Sequence, residues 1–151
     1  MSQKEWGNIT WFLFHSLAER IKEEYFSDLK TRLLEFITTT CENLPCPICA
    51  GHATETLKLA NIGNIKTKGD FIEFLRQFHN IVNIKLNKPV FKKEEVLMKY
   101  KTGYLSIIIK QFFKIYTHNY NNMSALMSAF QRKIFITQQK AFLNSIINYC
   151  N

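Results

Sequence analysis

Proline and glycine are scarce in this chain, three and five among 151 residues. They gather into no linker, and no repeat or low-complexity tract divides the sequence. Acidic residues are outnumbered, 12 against 20 lysines and arginines, for a net charge of +8. That excess alone does not make a nucleic-acid binder, because the lysines are dispersed and no organised basic patch is visible. Long apolar runs are missing as well. The most apolar stretch, Tyr104 to Tyr116, contains Lys110 and Lys114 and is too short to span a bilayer. The first residues, Met1 to Trp6, carry no apolar segment, so no secretion signal is expected and a cytoplasmic setting is. Only four cysteines occur, in a chain long enough to bury a core without staples, which reads as catalytic or metal-binding use rather than a disulfide framework.

Helical periodicity is what the chain does have, and strand alternation is absent, so an all-α bundle is expected. The spacing predicts a first helix over 8–25, with Trp11, Phe14, His15, Ala18, Ile21 and Tyr25 on one side. A second is capped by Ser27 and buries Leu29, Leu33, Phe36 and Ile37 on its way to Cys41. A third runs from Cys46 to about Asn61. The fourth opens on a capping box of Asp70 with Glu73, carries Phe71, Phe74, Leu75, Phe78 and Val82, and stops near Asn87. A short helix over 93–101 follows, Gly103 breaks the chain, and the apolar run from Tyr104 forms a buried helix. The last segment offers Met123, Leu126, Met127, Phe130, Ile134, Phe142, Ile146 and Ile147 as its apolar stripe.

Chemistry concentrates in Leu44-Pro45-Cys46-Pro47-Ile48-Cys49-Ala50-Gly51-His52. A helix opening here would take Pro47 in its first turn, where a missing N–H costs nothing. Cys46 and Cys49 would share a face within bonding reach, and the helix N-terminus would favour the thiolate. A rival reading is a zinc site of Cys41, Cys46, Cys49 and His52, whose spacing suits a tetrahedral ion. A c-type haem site is excluded, because Ala50 stands where it needs a histidine.

The second informative cluster is His79-Asn80-Ile81-Val82-Asn83-Ile84-Lys85-Leu86-Asn87-Lys88. His79 and Asn83 lie one turn apart beside an apolar stripe, as do Trp11 and His15 on the first helix. Polar groups placed there need partners. A flat heteroaromatic ligand would supply them, with Lys85 and Lys88 positioned to meet phosphates; bonds to backbone would serve equally.

Taken together, Trp-Gly-x-x-x-Trp-x-x-x-His (Trp6 to His15), Pro-Cys-x-x-Cys-x-x-His (Pro45 to His52) and His-Asn-x-Val-Asn-x-Lys-Leu-x-Lys (His79 to Lys88) resemble the Erv/ALR family of FAD-linked sulfhydryl oxidases, and its viral branch in particular. The resemblance covers roughly residues 6–100. It implies a four-helix bundle with a short fifth helix, FAD as cofactor, dithiol proteins as substrates (with a thioredoxin-like relay among them), dioxygen as acceptor and a homodimer. It implies that Cys49 contacts the flavin while Cys46 exchanges with the incoming dithiol. Trp11, His15, His79, Asn80, Val82, Asn83, Lys85 and Lys88 fall on the family's FAD-contacting positions. Tyr100 stands where many members have a tryptophan near the adenine, and Asn8 where many have an arginine. The two cysteines of a structural disulfide found in many members correspond to Arg76 and Lys93. For a viral-type enzyme the setting would be the host cytoplasm or the virion. On this reading residues 1–103 form the FAD-binding bundle, and 104–151 a helical extension packed on it or dimerising with it. Cys150 has no neighbouring cysteine, so a tail CxxC shuttle is absent; a free Cys150 with a buried Cys41, a bridge between them, and a Cys150 link between subunits all stay open.

Overall fold

A computed structural model describes residues 3–121 and 129–151. It is all-α, as the periodicity predicts. The helices are α1 (Gln3–Arg20), α2 (Glu23–Glu42), α3 (Pro47–Leu59), α4 (Lys68–Lys85), α5 (Lys93–Tyr100), α6 (Leu105–Asn121) and α7 (Ala129–Ile146), with single 3-10 turns at Ile62–Asn64 and Ile147–Tyr149. Among the described residues no helix is long and apolar enough to cross a membrane.

The first break falls earlier than the periodicity implies. Instead of running to Tyr25, α1 ends at Arg20, and Ser27 lies inside α2 rather than capping it. No glycine or proline marks the spot. The chain end imposes it: Ile21 pairs with Cys150 in an isolated antiparallel bridge, Lys22 N–H donates to Tyr149 O at 2.9 Å, and Asn151 N–H donates to Arg20 O at 2.7 Å. Backbone groups released by the break are thus paired at once.

The α4 box also differs from expectation. Thr67, not Asp70, is the N-cap: its hydroxyl accepts from Asp70 N–H at 3.0 Å, while the Asp70 carboxylate takes the N–H groups of Lys66 and Thr67 at 3.0 and 3.1 Å. Those two bonds hold the Asp70 carboxyl below the ordinary carboxylate range. Glu73 turns to Arg76 and Gln77 instead. Thr67→Ala is expected to lower stability by about 1 kcal/mol, read as a shift in the urea midpoint at constant slope.

The core joins α1, α2, α4 and α6. Leu13, Phe14, Leu17, Ile21, Phe26, Leu33, Ile37, Phe71, Leu75 and Phe112 are almost wholly buried. The most extensive packing is between α1 and α6. Gly103 packs closely on the start of α6, where a Cβ would lie 2.7 Å from Ile108 Cδ1, and Arg20 donates to its carbonyl. The α7 stripe agrees with expectation only in part: Ile146 is buried as expected, Phe135 and Leu143 are buried beside it, and Phe130 and Ile134 face outward. Met123, Leu126 and Met127 lie outside the described residues.

Candidate active site

The site begins where α2 ends. Asn43 caps α2 with its amide on Thr39 O, the chain turns through Leu44 and Pro45, and Pro47 starts α3. Cys46 is the N-cap of α3, and its sulfur accepts the Cys49 N–H at 3.2 Å. Helical spacing then brings Cys49 back over Cys46 with Cα atoms 5.2 Å apart, and the two are joined as a disulfide. Both are half-buried, and the intervening Pro47 and Ile48 project into solvent. One side of the disulfide is therefore open and the other faces the protein.

On the inner side lies a cavity of about 590 Å³. Trp6, Trp11 and Phe14 of α1, Cys41 and Leu44 at the end of α2, Cys49 and His52 of α3, and His79, Val82 and Asn83 of α4 line it. Cys49 faces this space and Cys46 does not. The lining is mainly apolar and aromatic, and Lys4, Lys85, Lys88 and Lys99 add four cations to it.

Burial and aromatic packing set the cavity's geometry. Trp11 stacks on His79, ring centres 4.0 Å apart and nearly parallel, and meets Phe78 and Phe14 edge-on. His15 Nε2 and His79 Nδ1 share a hydrogen bond of 3.0 Å, and the far side of His15 stacks on Tyr100 at 4.3 Å. Burial pushes both imidazoles down from 6.5 to about 3, reinforced by Lys99 beside each. Both are therefore neutral at pH 7, one ring donating and the other accepting. These histidines stabilise the fold fully above about pH 6.5 and lose that contribution as pH falls toward 3, where the unfolded chain binds protons that the folded one refuses. Urea midpoints measured between pH 7 and about pH 4 should fall steeply in the native chain and more gently in His15→Gln.

The two amides of this cluster bond to backbone. Asn80 brackets Phe91, donating to its carbonyl at 3.0 Å and accepting its N–H at 2.8 Å. The Asn83 amide nitrogen donates to Pro89 O at 3.1 Å, and the Asn83 backbone carbonyl accepts Lys88 N–H at 2.8 Å. Arg76 adds a bond to Phe91 O. Asn87, at φ 57°, makes the left-handed turn that starts this loop, a conformation asparagine tolerates. These bonds pin the 87–92 loop as a lip, with Pro89, Val90 and Phe91 on the cavity. Trp11, His79, Val82, Asn83, Lys85, Lys88, Tyr100 and Cys49 thus come together around one space. His15 and Asn80 sit behind it, His15 against His79 and Asn80 against the lip. Asn8 also reaches the cavity.

Several lining residues carried no separable signal in the sequence. Lys99 is one of many lysines, yet its ammonium lies over the rings of Phe91, Tyr100 and Phe12 at 5.1, 5.5 and 5.8 Å. Cys41 is buried in the wall, and desolvation raises its thiol to about 12, so it stays protonated. Cys41 and Cys150 are both free and unjoined, the Cys150 thiol pointing to Ile146 O at 3.6 Å. The rival zinc set does not assemble: Cys46 and Cys49 are bonded to each other, and no group of three metal-binding side chains occurs among the described residues.

Fold and site together define an all-helical protein that carries a CxxC disulfide on the wall of an aromatic cavity. The model of the Erv1 / Alr family matches residues 8–101, and the chain belongs to that family. An FAD-linked sulfhydryl oxidase ERV1 of Oryza sativa subsp. japonica is 31% identical over 96 residues, 64% of this chain and 49% of the relative. The FAD-linked sulfhydryl oxidase of African swine fever virus (isolate Pig/Kenya/KEN-50/1950) is 32% identical over 110 residues, 70% of this chain and 84% of the relative. The putative FAD-linked sulfhydryl oxidase 096R of Invertebrate iridescent virus 3 is 28% identical over 102 residues, covering 67% and 69%. The chain spans about half the length of the plant relative. No solved structure matches it.

Proposed function

We propose that the chain is an FAD-dependent thiol oxidase that makes disulfides in dithiol proteins at the Cys46–Cys49 pair. The carrying observation is the two-sided disulfide, with Cys49 on the cavity and Cys46 off it. Membership of a family whose relatives are named FAD-linked sulfhydryl oxidases supports the reading. The lining suits FAD: Trp11, His79 and Val82 offer flat and apolar surface for a ring system, and Lys4, Lys85, Lys88 and Lys99 offer charge for a diphosphate. His15, itself stacked on Tyr100, backs His79, while Asn80 and Asn83 hold the lip.

A substrate thiolate attacks Cys46 Sγ, the Cys46–Cys49 bond breaks, and Cys49 leaves as a thiolate. The second substrate thiolate then attacks the substrate sulfur of the mixed disulfide, closing the substrate disulfide and releasing Cys46. FAD held against Trp11, His79 and Val82 would supply the acceptor through which the two electrons and two protons of the Cys46–Cys49 dithiol reach dioxygen as hydrogen peroxide while the disulfide re-forms. The α3 N-terminus favours negative charge on the opened pair, with the Cys49 N–H directed at Cys46 Sγ. Exposed Ile48 offers an apolar contact for an incoming protein client. The test is to refold the chain with FAD, remove excess, and follow oxygen uptake on addition of a dithiol. Uptake with bound flavin is expected; a folded chain that retains no flavin would overturn the reading.

A further inference from the structure

Residues beyond 101 lie outside the family match, yet α6 packs on α1 and reaches the connection between α2 and α3. Tyr116 is wholly buried, and its hydroxyl lies 2.5 Å from Thr10 Oγ1. The single Thr10 hydroxyl hydrogen is directed to Trp6 O at 2.6 Å, which makes Tyr116 the donor. Thr10 lines the cavity between Trp6 and Trp11. One turn on, Tyr120 donates to Asn43 O at 2.5 Å. Asn43 is the C-cap of α2 and stands three residues before Cys46. The Tyr116 and Tyr120 rings meet edge to face at 5.8 Å, and Phe135 of α7 packs on both. Burial raises both phenols, so they remain protonated donors across the working pH range.

We propose that Tyr116 and Tyr120 form a two-point clamp by which the C-terminal extension sets the spacing between the Trp11 wall and the Cys46–Cys49 disulfide. The inference rests on the oxidase reading. Tyr116 and Tyr120 are positioning residues; neither touches the disulfide. The α1 bond fixes the ring-bearing wall, and the Asn43 bond fixes the short connection that delivers Cys46 and Cys49. Both attach to one rigid turn of one helix, so the walls cannot drift independently. Misplacement of a reacting group by about 1 Å costs up to about a hundredfold in rate, so a clamp of this kind bears on electron transfer more than on folding.

The test is the double variant Tyr116→Phe/Tyr120→Phe, which keeps both rings and removes both hydroxyls. Phe135→Leu serves as the control, loosening the same cluster without touching either wall. With a small dithiol, the double variant should lose about tenfold in kcat with KM within about twofold, and FAD titrated into the apo protein should bind about fivefold more weakly. Phe135→Leu should lower the melting temperature at least as much and leave kcat and FAD affinity within about twofold. Equal losses in control and double variant, or a double variant that keeps native kcat and affinity, would overturn the clamp. If the native chain itself binds no FAD, the oxidase reading fails instead, so the two failures are told apart.

Discussion

Cys49→Ser should abolish dithiol-driven oxygen uptake, with a loss of at least about a thousandfold, in a protein that still folds and still binds FAD. The fold survives because the Cys46–Cys49 bond closes a short loop, worth about 2 kcal/mol in chain entropy, against a core running through α1, α2, α4 and α6. The chemistry does not survive, because Cys49 is the sulfur on the cavity and serine can neither leave as a stable anion nor carry an electron pair. Cys46 remains able to exchange with an external disulfide, so a stable adduct on Cys46 should be visible by mass spectrometry. Cys46→Ser should instead leave a cavity-facing thiol that protein dithiols do not recharge. A Cys49→Ser protein retaining more than about a tenth of native uptake would remove Cys49 from the electron path.

Trp11→Ala carries the second large effect. The ring stacks on His79, meets Phe78 and Phe14 edge-on, and forms part of the cavity wall. Its removal is expected to cost about 3 kcal/mol in stability, the lower end for a large aromatic because Trp11 is only half-buried. It also unseats the neutral His15–His79 pair, which depends on burial for its protonation state. FAD affinity should fall about a hundredfold, read by fluorescence titration below the lowered melting temperature. An unchanged affinity would show that the ring system binds elsewhere.

The sequence made some of this visible and withheld the rest for reasons that can be named. Pro47 at the head of a helix, the CxxC that follows it and the spacing of Trp11 to His15 are local signals, and each has its counterpart in the folded chain. The break at Ile21–Lys22 was invisible because a partner about 130 residues away in sequence imposes it, through the bridge to Cys150. The shift of the α4 cap from Asp70 to Thr67 is a different matter: Asp70 fits both a cap and an N3 position, and only backbone geometry separates them. Asn80 and Asn83 fell on the right face, but which partner a buried amide takes depends on where the 87–92 loop returns. Lys99 gains its place from three rings brought from α1, α5 and the lip, which no spacing along one helix encodes. Phe130 and Ile134 read as core by hydrophobicity alone, whereas Phe135, one position on, faces Tyr116 and Tyr120.

The central claim is that one chain holds two electron acceptors in series, the Cys46–Cys49 disulfide and FAD. Anaerobic titration of the FAD-loaded protein with a dithiol tests this directly, with thiol trapping and the flavin spectrum read at each addition. Two equivalents of dithiol per chain, with Cys46 and Cys49 alkylated and the flavin absorbance bleached, is the predicted result. Alkylation of both cysteines after one equivalent, with the flavin remaining oxidised under further dithiol, would contradict it.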